Sequence, residues 1–392
     1  MTTRTQPPAR TLAGATPDEV RAECAELFHD DLNPVLRRIG DRPRGAGSRA
    51  APAEDDTDVR ASVWATLADM GVLSAALPAH LGGSEQAQRI LVEVAELTGP
   101  GLYQSLLPDT LLAADLLARD GRHDRLLTEV ADGRTTVALA LRDRGADEPD
   151  APGALEVDRD HGTVTGSRRF VPFAADADLI LAVGAVDGAM HACLVPVDQP
   201  GVGVRRQDDL GRGDLYGVSL DRAALAPDGL VRVDRHYASA LARARLRHAA
   251  YLSGLCRGAL DLTVAHLKER VAFGRPLAGM QAPAHRLAAL SAENAALLAL
   301  VRRTARVADS GTDGIVLHAV QAALLANDLA RTVSAEAVHL HGALGMTERC
   351  DASFFYRRAA VDAPRFGTGT GLRKEAARLL RAAHNADDPG RG

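Results

Sequence analysis

Residues 270–281 read RVAFGRPLAGMQ and connect two long segments that carry a helical pattern. The segment before them, 238–269, contains no proline, and the segment after them, 282–309, repeats apolar residues at helical spacing. A third segment of comparable length covers 314–342. Helices this long must pack on one another to bury their apolar faces, so the sequence predicts a four-helix bundle.

The rest of the chain divides by pattern into two further parts. Residues 16–132 have helical spacing and open on Thr16-Pro-Asp-Glu, which is an N-cap followed by proline and acidic residues of a first turn. Short valine-rich runs separated by Gly, Asp and Pro fill 133–234 and predict strands. We therefore predict an α+β fold with an N-terminal α-helical domain, a middle β-barrel or sandwich domain, and a C-terminal four-helix bundle domain over 235–387.

The composition limits the class of protein. A net charge of −5, a pI of about 6.2 and 3% aromatic residues argue against nucleic acid or an anionic membrane as the main partner. The 46% of hydrophobic residues is enough for a packed core, so disorder is expected only in short stretches. These are a flexible tail at 1–15, a mobile loop at 41–56 and a frayed end at 385–392.

The cysteines and the hydropathy indicate the compartment. The four cysteines are far apart and form no CxxC pair, so neither a zinc motif nor a redox motif is expected. Free thiols of this kind are typical of a reducing environment. The N-terminus lacks the apolar core of a signal peptide, and no run of 18 apolar residues occurs. We predict a cytoplasmic protein without membrane insertion.

Three motifs lie in the C-terminal part of the chain at a characteristic spacing. They are R-x-x-F-G followed by Gln281 (270–281), H-L-H-G-A-L-G about 60 residues later (339–345), and R-F-G (365–367). The combination resembles the acyl-CoA dehydrogenase family. Weaker matches upstream, at 64–71, 81–83, 166–172 and 177–178, extend the resemblance over about residues 55–385.

The resemblance implies FAD as the cofactor, lying between the β-domain of one subunit and the helical domain of its neighbour. It places Arg270 at the pyrophosphate of the neighbour's FAD, where a guanidinium binds phosphate oxygens in a fork. It places Phe273 near the adenosine and gives Gln281 a hydrogen bond to the cofactor. Gly342 would let the backbone approach the dinucleotide closely, and His339 stands where the family has a Gln.

Both positions that usually hold the catalytic base are apolar in this chain. In the family reaction a carboxylate removes the α-proton of an acyl thioester, while the flavin accepts the β-hydride. The resemblance places that Glu at Phe366 or, in some members, at Ala244, immediately before Arg245, which it assigns to the substrate. Neither a phenyl ring nor a methyl group accepts a proton, so the sequence identifies no catalytic residue.

The part of the flavin site in the β-domain is also reduced. The family loop that lines the isoalloxazine corresponds to 141–147 and has lost its hydroxyls. Phe170, a candidate cofactor contact, begins a Phe-Val-Pro segment where the family has Trp-Ile-Thr. The residues that persist belong to the half of the site that a subunit contributes to its neighbour's FAD.

These residues leave three functions open. The first is FAD-dependent α,β-desaturation of an acyl thioester, with electrons passed to a separate acceptor protein. The second is an inactive partner subunit that completes the FAD site of a related subunit in a hetero-oligomer, which the loss of both Glu positions favours. The third is another flavin reaction on the same fold, such as monooxygenation. The sequence specifies neither the acyl group nor whether CoA or a carrier protein holds it.

Four other features have simpler interpretations. Glu348 and Asp351 are the nearest carboxylates in sequence to the missing base, and they either substitute for it or serve as helix caps or salt-bridge partners. His339 and His341 lack a third ligand, so no metal is expected. Residues 367–371 predict a bend into the last helix. Residues 211–217 predict a turn before a strand, because the spacing of their glycines does not fit a dinucleotide fingerprint.

Overall fold

The computed structural model describes residues 14–28, 32–40, 54–119, 121–143, 148–149, 151–311 and 314–387. The predicted tail up to residue 13, the predicted loop from 41 to 53 and the chain after 387 lie outside the described residues. The predicted loop at 41–56 was too long, because residues 54–56 belong to a helix. Residues 385–387 are likewise helical.

The N-terminal part is helical. The helices are α1 (Pro17–Leu27), α2 (Leu32–Gly40), α3 (Glu54–Asp69), α4 (Ala87–Thr98), α5 (Leu107–Leu117) and α6 (Asp124–Ala131). The predicted N-cap is confirmed: the Thr16 hydroxyl accepts from the backbone N–H of Glu19, and the Glu19 carboxylate accepts from that of Thr16. One core joins α1, α3, α4 and α5.

The middle part is a sandwich of two sheets. Its strands are β1 (Val137–Ala140), β2 (Glu156–Asp158), β3 (Thr163–Pro172), β4 (Leu179–Val186), β5 (Ala189–Pro196), β6 (Val202–Gln207), β7 (Leu215–Ala224) and β8 (Leu230–Arg232). One sheet has the order β1-β4-β5-β8 and the other β2-β3-β7-β6; β1 and β4 are parallel and the other pairs antiparallel.

The first sheet is buried on both faces. Ala138 and Ala140 of β1 share a core with Val164 and Val218 of the opposite sheet. Leu139, between them, points the other way and joins a core with α5 and α7. Successive side chains of a strand face opposite sides, so small residues fill the sandwich while a large one packs on the helices. This packing attaches the sheets to the helical parts.

The C-terminal part contains the predicted helical bundle. Its elements are α7 (Tyr237–Glu269), a hairpin of β9 (Val271–Ala272) and β10 (Arg275–Pro276), α8 (Gln281–Asp309), α9 (Ile315–Leu340), α10 (Asp351–Asp362) and α11 (Gly369–Asp387). Helices α7, α8, α9 and α10 share one core. The α+β architecture is confirmed, and the domain boundaries at 132 and 234 stay predictions.

Glycines allow α4 and α7 to approach at backbone distance. A β-carbon on Gly254 of α7 would lie 1.9 Å from the backbone oxygen of Glu96. A β-carbon on Gly99, just after α4, would lie 2.4 Å from the carbonyl carbon of Gly254. These contacts are with backbone, which cannot rotate away as a flexible side chain can. The two helices therefore require glycine at both positions.

Gly254→Ala should lower the free energy of unfolding by about 2–3 kcal/mol, because overpacking forces the two helices apart. Gly279→Ala is the control, since a β-carbon there meets no atom within 4 Å. We expect its effect to stay within about 0.5 kcal/mol. Urea unfolding of both variants measures the difference, and equal effects would contradict the close packing of α4 on α7.

Candidate functional site

The hairpin after α7 presents a strained aromatic residue to solvent. Ala272 pairs with Arg275, so Phe273 and Gly274 form a two-residue turn, and both have positive φ (51° and 77°). Glycine adopts this left-handed conformation freely, whereas a phenylalanine there is under strain of about 1–2 kcal/mol. The Phe273 side chain is nevertheless 94% exposed. A strained and fully exposed aromatic ring indicates a contact with another molecule.

Other predicted cofactor-binding residues lie around this hairpin. Arg270 is the exposed C-cap that follows α7, and Gln281 is the exposed first residue of α8. His266 of α7 stacks on His341 with ring centroids 4.2 Å apart, which brings the end of α9 to the same end of the bundle. The structure thus places this part of the predicted set on one surface.

The turn after α9 completes this surface. His339 is exposed in the last turn of α9. Gly342 follows with a φ of 63°, and a β-carbon there would meet no atom within 4 Å. The space beside Gly342 is therefore open to an external ligand, while its φ favours glycine for the turn itself. The cofactor-binding roles of these residues stay predictions.

The two positions predicted for a catalytic base are buried among apolar side chains. Phe366 is 3% exposed and Ala244 is 3% exposed, in a core shared by α5, α7 and the first sheet. The Phe366 ring meets the His248 ring edge-on, with centroids 5.3 Å apart. Neither side chain can transfer a proton, and both positions belong to an apolar core.

Arg245, predicted to bind substrate, is engaged within the protein. The residue is 1% exposed, and its Nε donates to the backbone oxygen of Phe366 at 2.8 Å. Its Nη1 and Nη2 donate to the two oxygens of Glu375 in α11, at 2.9 and 2.8 Å. This geometry gives Arg245 a structural role, because it ties α7 to α11 and fixes the backbone at Phe366.

Charged side chains link the loop after β1 to the segment before α11. The Arg142 guanidinium donates to the backbone oxygens of Pro364 and Arg365. The Glu148 carboxylate accepts from the backbone N–H of Thr368 at 3.1 Å and from its hydroxyl. Of the loop that the family uses at the isoalloxazine, residues 144–147 lie outside the described residues. These contacts join the loop after β1 to the segment that precedes α11.

Phe170 lies at an irregular point of β3. The register between β3 and β7 shifts between Arg168 and Val171, and Phe170 has a φ of 55°. Its N–H donates to Gln207 at 2.8 Å, and the Arg169 guanidinium lies 4.9 Å from the centre of its ring. The ring is 39% exposed and forms one wall of a cavity.

That cavity has a volume of about 290 Å³ and lies between α4, α5, α7, the end of α10 and the loop 207–215. One side is apolar and includes Leu91, Val94, Leu107, Leu111 and Val361. The other side is polar and includes Gln104, Asp209, Tyr251, Arg358 and Asp362. This polar group was not predicted from the sequence, although the i, i+4 pair Arg358–Asp362 is a readable signal.

A buried hydrogen-bond network forms the floor of the cavity. The Asp362 carboxylate accepts from the Tyr251 hydroxyl at 2.8 Å and from the Arg358 guanidinium. His248 Nε2 donates to the backbone oxygen of Asp362 at 2.8 Å. Burial, assisted by Arg365 and Arg142 and opposed by Asp362, lowers the pKa of His248 to about 4. His248 is therefore neutral at pH 7.

The remaining motifs have structural explanations. Glu348 pairs with Arg212, and Asp351 accepts from Arg37 Nε at 2.7 Å, so both carboxylates are salt-bridge partners. Within the described ranges, no three His, Cys, Asp or Glu side chains are arranged to hold a metal ion. All four cysteines are buried free thiols. No described helix is long and apolar enough to cross a membrane.

Comparisons with known proteins agree with this architecture. The family model "Acyl-CoA dehydrogenase, C-terminal domain" matches residues 235–380. The chain is 32% identical over 297 residues to acyl-CoA dehydrogenase FadE28 of Mycobacterium tuberculosis, covering 72% of this chain and 82% of that protein. It is 25% identical over 337 residues to cyclohex-1-ene-1-carbonyl-CoA dehydrogenase of Geobacter metallireducens, covering 80% and 88%.

Two solved structures are similar over almost the whole chain. The Tcur3481-Tcur3483 steroid ACAD G363A variant has a TM-score of 0.79 and 26% identity, covering 94% of this chain and 98% of that chain. The ChsE4-ChsE5 complex from Mycobacterium tuberculosis has a TM-score of 0.77 and 22% identity, covering 93% and 97%. The similarity therefore includes the N-terminal helices and the sheets as well as the bundle.

Proposed function

The chain belongs to the acyl-CoA dehydrogenase family, and we propose that it is a subunit that completes the FAD site of a base-carrying partner. The family consists of flavoprotein oxidoreductases that act on CH–CH groups, with FAD as the cofactor. The reaction of the proposed assembly is the α,β-desaturation of an acyl thioester, with electrons passed on to an acceptor protein. The partner is a related subunit with Glu at the position equivalent to Phe366.

One contrast within the chain carries this proposal. The turn that the family directs at a neighbour's FAD holds Phe273 in a left-handed conformation and 94% exposed, a combination that is typical of binding sites. The positions that the family uses for the base hold Phe366 and Ala244, both buried in an apolar core. The outward half thus keeps Arg270, Phe273, Gln281 and Gly342 of the family pattern, although His339 replaces a Gln, while the inward half has no base. The similar ChsE4-ChsE5 structure from Mycobacterium tuberculosis is a complex, which supports an assembly of two unlike subunits.

The residues fit FAD on the outward surface. Arg270 is exposed there, and its fork of N–H groups suits phosphate oxygens. Gln281 supplies amide hydrogen-bonding groups, and the open space beside Gly342 admits a dinucleotide. Bound FAD supplies hydride acceptance, which no amino-acid side chain provides. The role of this chain is to bind and orient the adenosine and pyrophosphate end.

The residues do not fit an independent desaturase. Each carboxylate of the cavity lies beside an arginine: Asp362 and Asp209 lie beside Arg358, and Asp214 lies beside Arg60. The Asp362 carboxylate also accepts from the Tyr251 hydroxyl. Arg142 and Glu148 join the loop after β1 to the segment before α11 in place of the lost hydroxyls. We therefore assign no proton-transfer step to this chain. The base that removes the α-proton belongs to the partner.

Co-expression with a base-carrying partner tests the proposal. The chain purified alone should be colourless, and the co-purified complex should show the absorption bands of a bound flavin and desaturate acyl thioesters. Replacing the partner's Glu with Gln should abolish turnover and leave the flavin bound. A yellow homomer that desaturates acyl thioesters by itself would contradict the proposal.

Phe273→Asn separates the binding role of the ring from any structural role. Asparagine tolerates the left-handed conformation, so we expect the stability of the chain alone to stay the same or to rise by up to about 1 kcal/mol. Burial of a phenyl ring contributes about 1.5–3 kcal/mol to binding, so the affinity of the complex for FAD should fall about tenfold or more. Flavin titration and urea unfolding measure the two effects.

Arg270→Ala should likewise weaken FAD binding, because a charge-assisted bond to phosphate contributes about 1.5–3 kcal/mol. Arg303→Ala is the matched control, since Arg303 is an exposed arginine near the other end of α8 and outside the predicted set. FAD affinity that is unchanged in Phe273→Asn and Arg270→Ala would show that this surface does not hold the cofactor.

A further inference from the structure

A glutamate from a distant loop occupies the start of α11. The Glu148 carboxylate accepts hydrogen bonds from the backbone N–H of Thr368, at 3.1 Å, and from the Thr368 hydroxyl. That hydroxyl in turn accepts from the backbone N–H of Gly371 at 3.0 Å, in the first turn of the helix. Glu148 and Thr368 are 220 positions apart in the sequence, so the contact joins two distant parts of the chain.

The glycine-rich start of α11 is shaped to receive this anion. Residues 367–371 read GTGTG and lead directly into a helix of 19 residues. The first turn of a helix offers unpaired N–H groups and the positive end of the helix dipole, so it stabilises a negatively charged group. A β-carbon on Gly371 would lie 2.3 Å from the carboxyl carbon of Glu148. Glycine at this position therefore makes the room that the carboxylate occupies.

A second contact closes the crevice beside this glutamate. The Arg142 guanidinium donates to the backbone oxygens of Pro364 and Arg365, so both ends of segment 142–148 are bound to the chain just before α11. The resemblance places the isoalloxazine of this chain's own FAD between these two segments, in what we call the flavin crevice. The loop that lines it has no hydroxyl side chain, and the donors of Thr368 already bind a carboxylate, so these residues do not fit a flavin.

The charge of Glu148 opposes a phosphate at the same donors. The pyrophosphate of FAD is anionic, so it would be repelled by a carboxylate that holds the start of α11. Arg373 of the same helix does not offset this charge, because it is paired with Asp328 of α9 at 2.6 Å. Glu148 is also tethered to the chain, which gives it a high effective concentration at these donors. A free phosphate group must compete with an attached anion.

We infer that Glu148 is an internal substitute for phosphate that closes the flavin crevice of this chain to FAD. The contact is autoinhibitory, because the carboxylate fills the place where the helix would otherwise bind an anion. Removing the carboxylate should therefore open a phosphate site at the start of α11. The crevice lies within one chain and is separate from the outward surface around Phe273, so this closure goes beyond the proposed function.

Calorimetric titration with inorganic pyrophosphate tests the closure on the full chain without a partner. Every variant also carries Arg270→Ala, so that the outward surface adds no phosphate binding. Glu148→Ala should bind pyrophosphate at least about tenfold more tightly than the chain with Arg270→Ala alone, because two donors and the helix dipole become free. Adding Thr368→Val should lower the affinity of the Glu148→Ala chain about fivefold or more, since it removes one of these donors.

Glu148→Gln is a second variant that keeps the shape of the side chain and removes its charge. It should raise the affinity for pyrophosphate about threefold or more, because the repulsion is gone while the amide still competes for the donors. Glu156→Ala is the matched control, since Glu156 is an exposed glutamate of β2, and it should leave the affinity unchanged. A thermal unfolding curve for each variant shows whether it is folded.

Folded Glu148→Ala and Glu148→Gln chains that bind pyrophosphate no more tightly than Glu156→Ala would overturn the closure by Glu148. A gain in affinity that Thr368→Val leaves unchanged would also overturn it, because the pyrophosphate would then bind elsewhere. Neither outcome touches the proposed function, which depends on FAD binding by the complex at the outward surface. The two proposals can therefore fail independently of each other.

Discussion

Arg245→Met should lower the free energy of unfolding by about 3–5 kcal/mol, the largest effect we expect from one substitution. Arg245 is almost completely buried, and its guanidinium donates to Glu375 and to the backbone of Phe366. Methionine is of similar length but carries no charge. It leaves the Glu375 carboxylate buried without a counterion and the Phe366 carbonyl without a donor.

The asymmetry of buried ion pairs explains the size of this effect. Removing one partner leaves the other charge buried without a counterion, and its desolvation is then uncompensated. Replacing both partners by apolar groups leaves no buried charge. The double variant Arg245→Met/Glu375→Leu should therefore recover most of the lost stability. Urea unfolding of the single and double variants gives the coupling free energy directly.

Arg373→Met is the matched control on the same helix. Arg373 in α11 pairs with Asp328 of α9 at 2.6 Å, but both side chains are about half exposed. An exposed pair contributes about 0–1 kcal/mol, so this variant should unfold almost as the wild type does. If Arg245→Met and Arg373→Met have equally small effects, α11 is not held to α7 by the buried pair.

The parts of the fold that depend on local signals could be predicted from the sequence. The Thr16-x-x-Glu19 pattern specified the capping box of α1, because both partners lie within one helical turn. Uninterrupted helical spacing predicted α7 and α9, and valine-rich runs between Gly and Asp predicted β4 and β7. These signals are read over a few residues and need no knowledge of the tertiary structure.

Contacts between distant residues could not be predicted in this way. Arg245 and Glu375 are 130 positions apart, and only the packing of α11 on α7 brings them together. Gln104 and Asp209 are 105 positions apart in sequence and both lie beside Gly213 in the loop between β6 and β7. The left-handed φ of Phe273 could not be predicted either, because a phenylalanine side chain disfavours that conformation and only the hairpin imposes it. The cavity and the strained turn are consequences of tertiary structure.

The absence of a catalytic base, by contrast, could be predicted from the residue type alone. Phenylalanine at 366 cannot accept a proton in any conformation, so this prediction needed no structure. The structure adds that the Phe366 ring packs into a core and against His248. A Glu introduced there would lie in an apolar core, where the His248 ring and the Arg365 guanidinium contact the present phenyl ring. The loss of the base is therefore part of the packing, which a single substitution does not reverse.

His248 should make the stability of the chain fall as the pH falls below about 6.5. The pKa of this imidazole is about 4 in the folded protein, chiefly because burial penalises the charged form, and about 6.5 in the unfolded chain. Between these values the unfolded state binds a proton that the folded state does not. Stability then decreases by about 1.4 kcal/mol per pH unit, or about 2 kcal/mol between pH 7 and pH 5.

His248→Gln should remove this contribution, since glutamine does not titrate and can still donate to the backbone oxygen of Asp362. Urea unfolding of both proteins at several values between pH 7 and pH 5 measures the slopes. The carboxylates that also titrate in this range are common to both proteins, so the difference isolates the imidazole. His384→Gln, at an exposed position of α11, should keep the slope of the wild type. Parallel curves for the wild type and His248→Gln would mean that His248 gains its proton as readily in the folded protein as in the unfolded chain, and that the floor of the cavity is open to water.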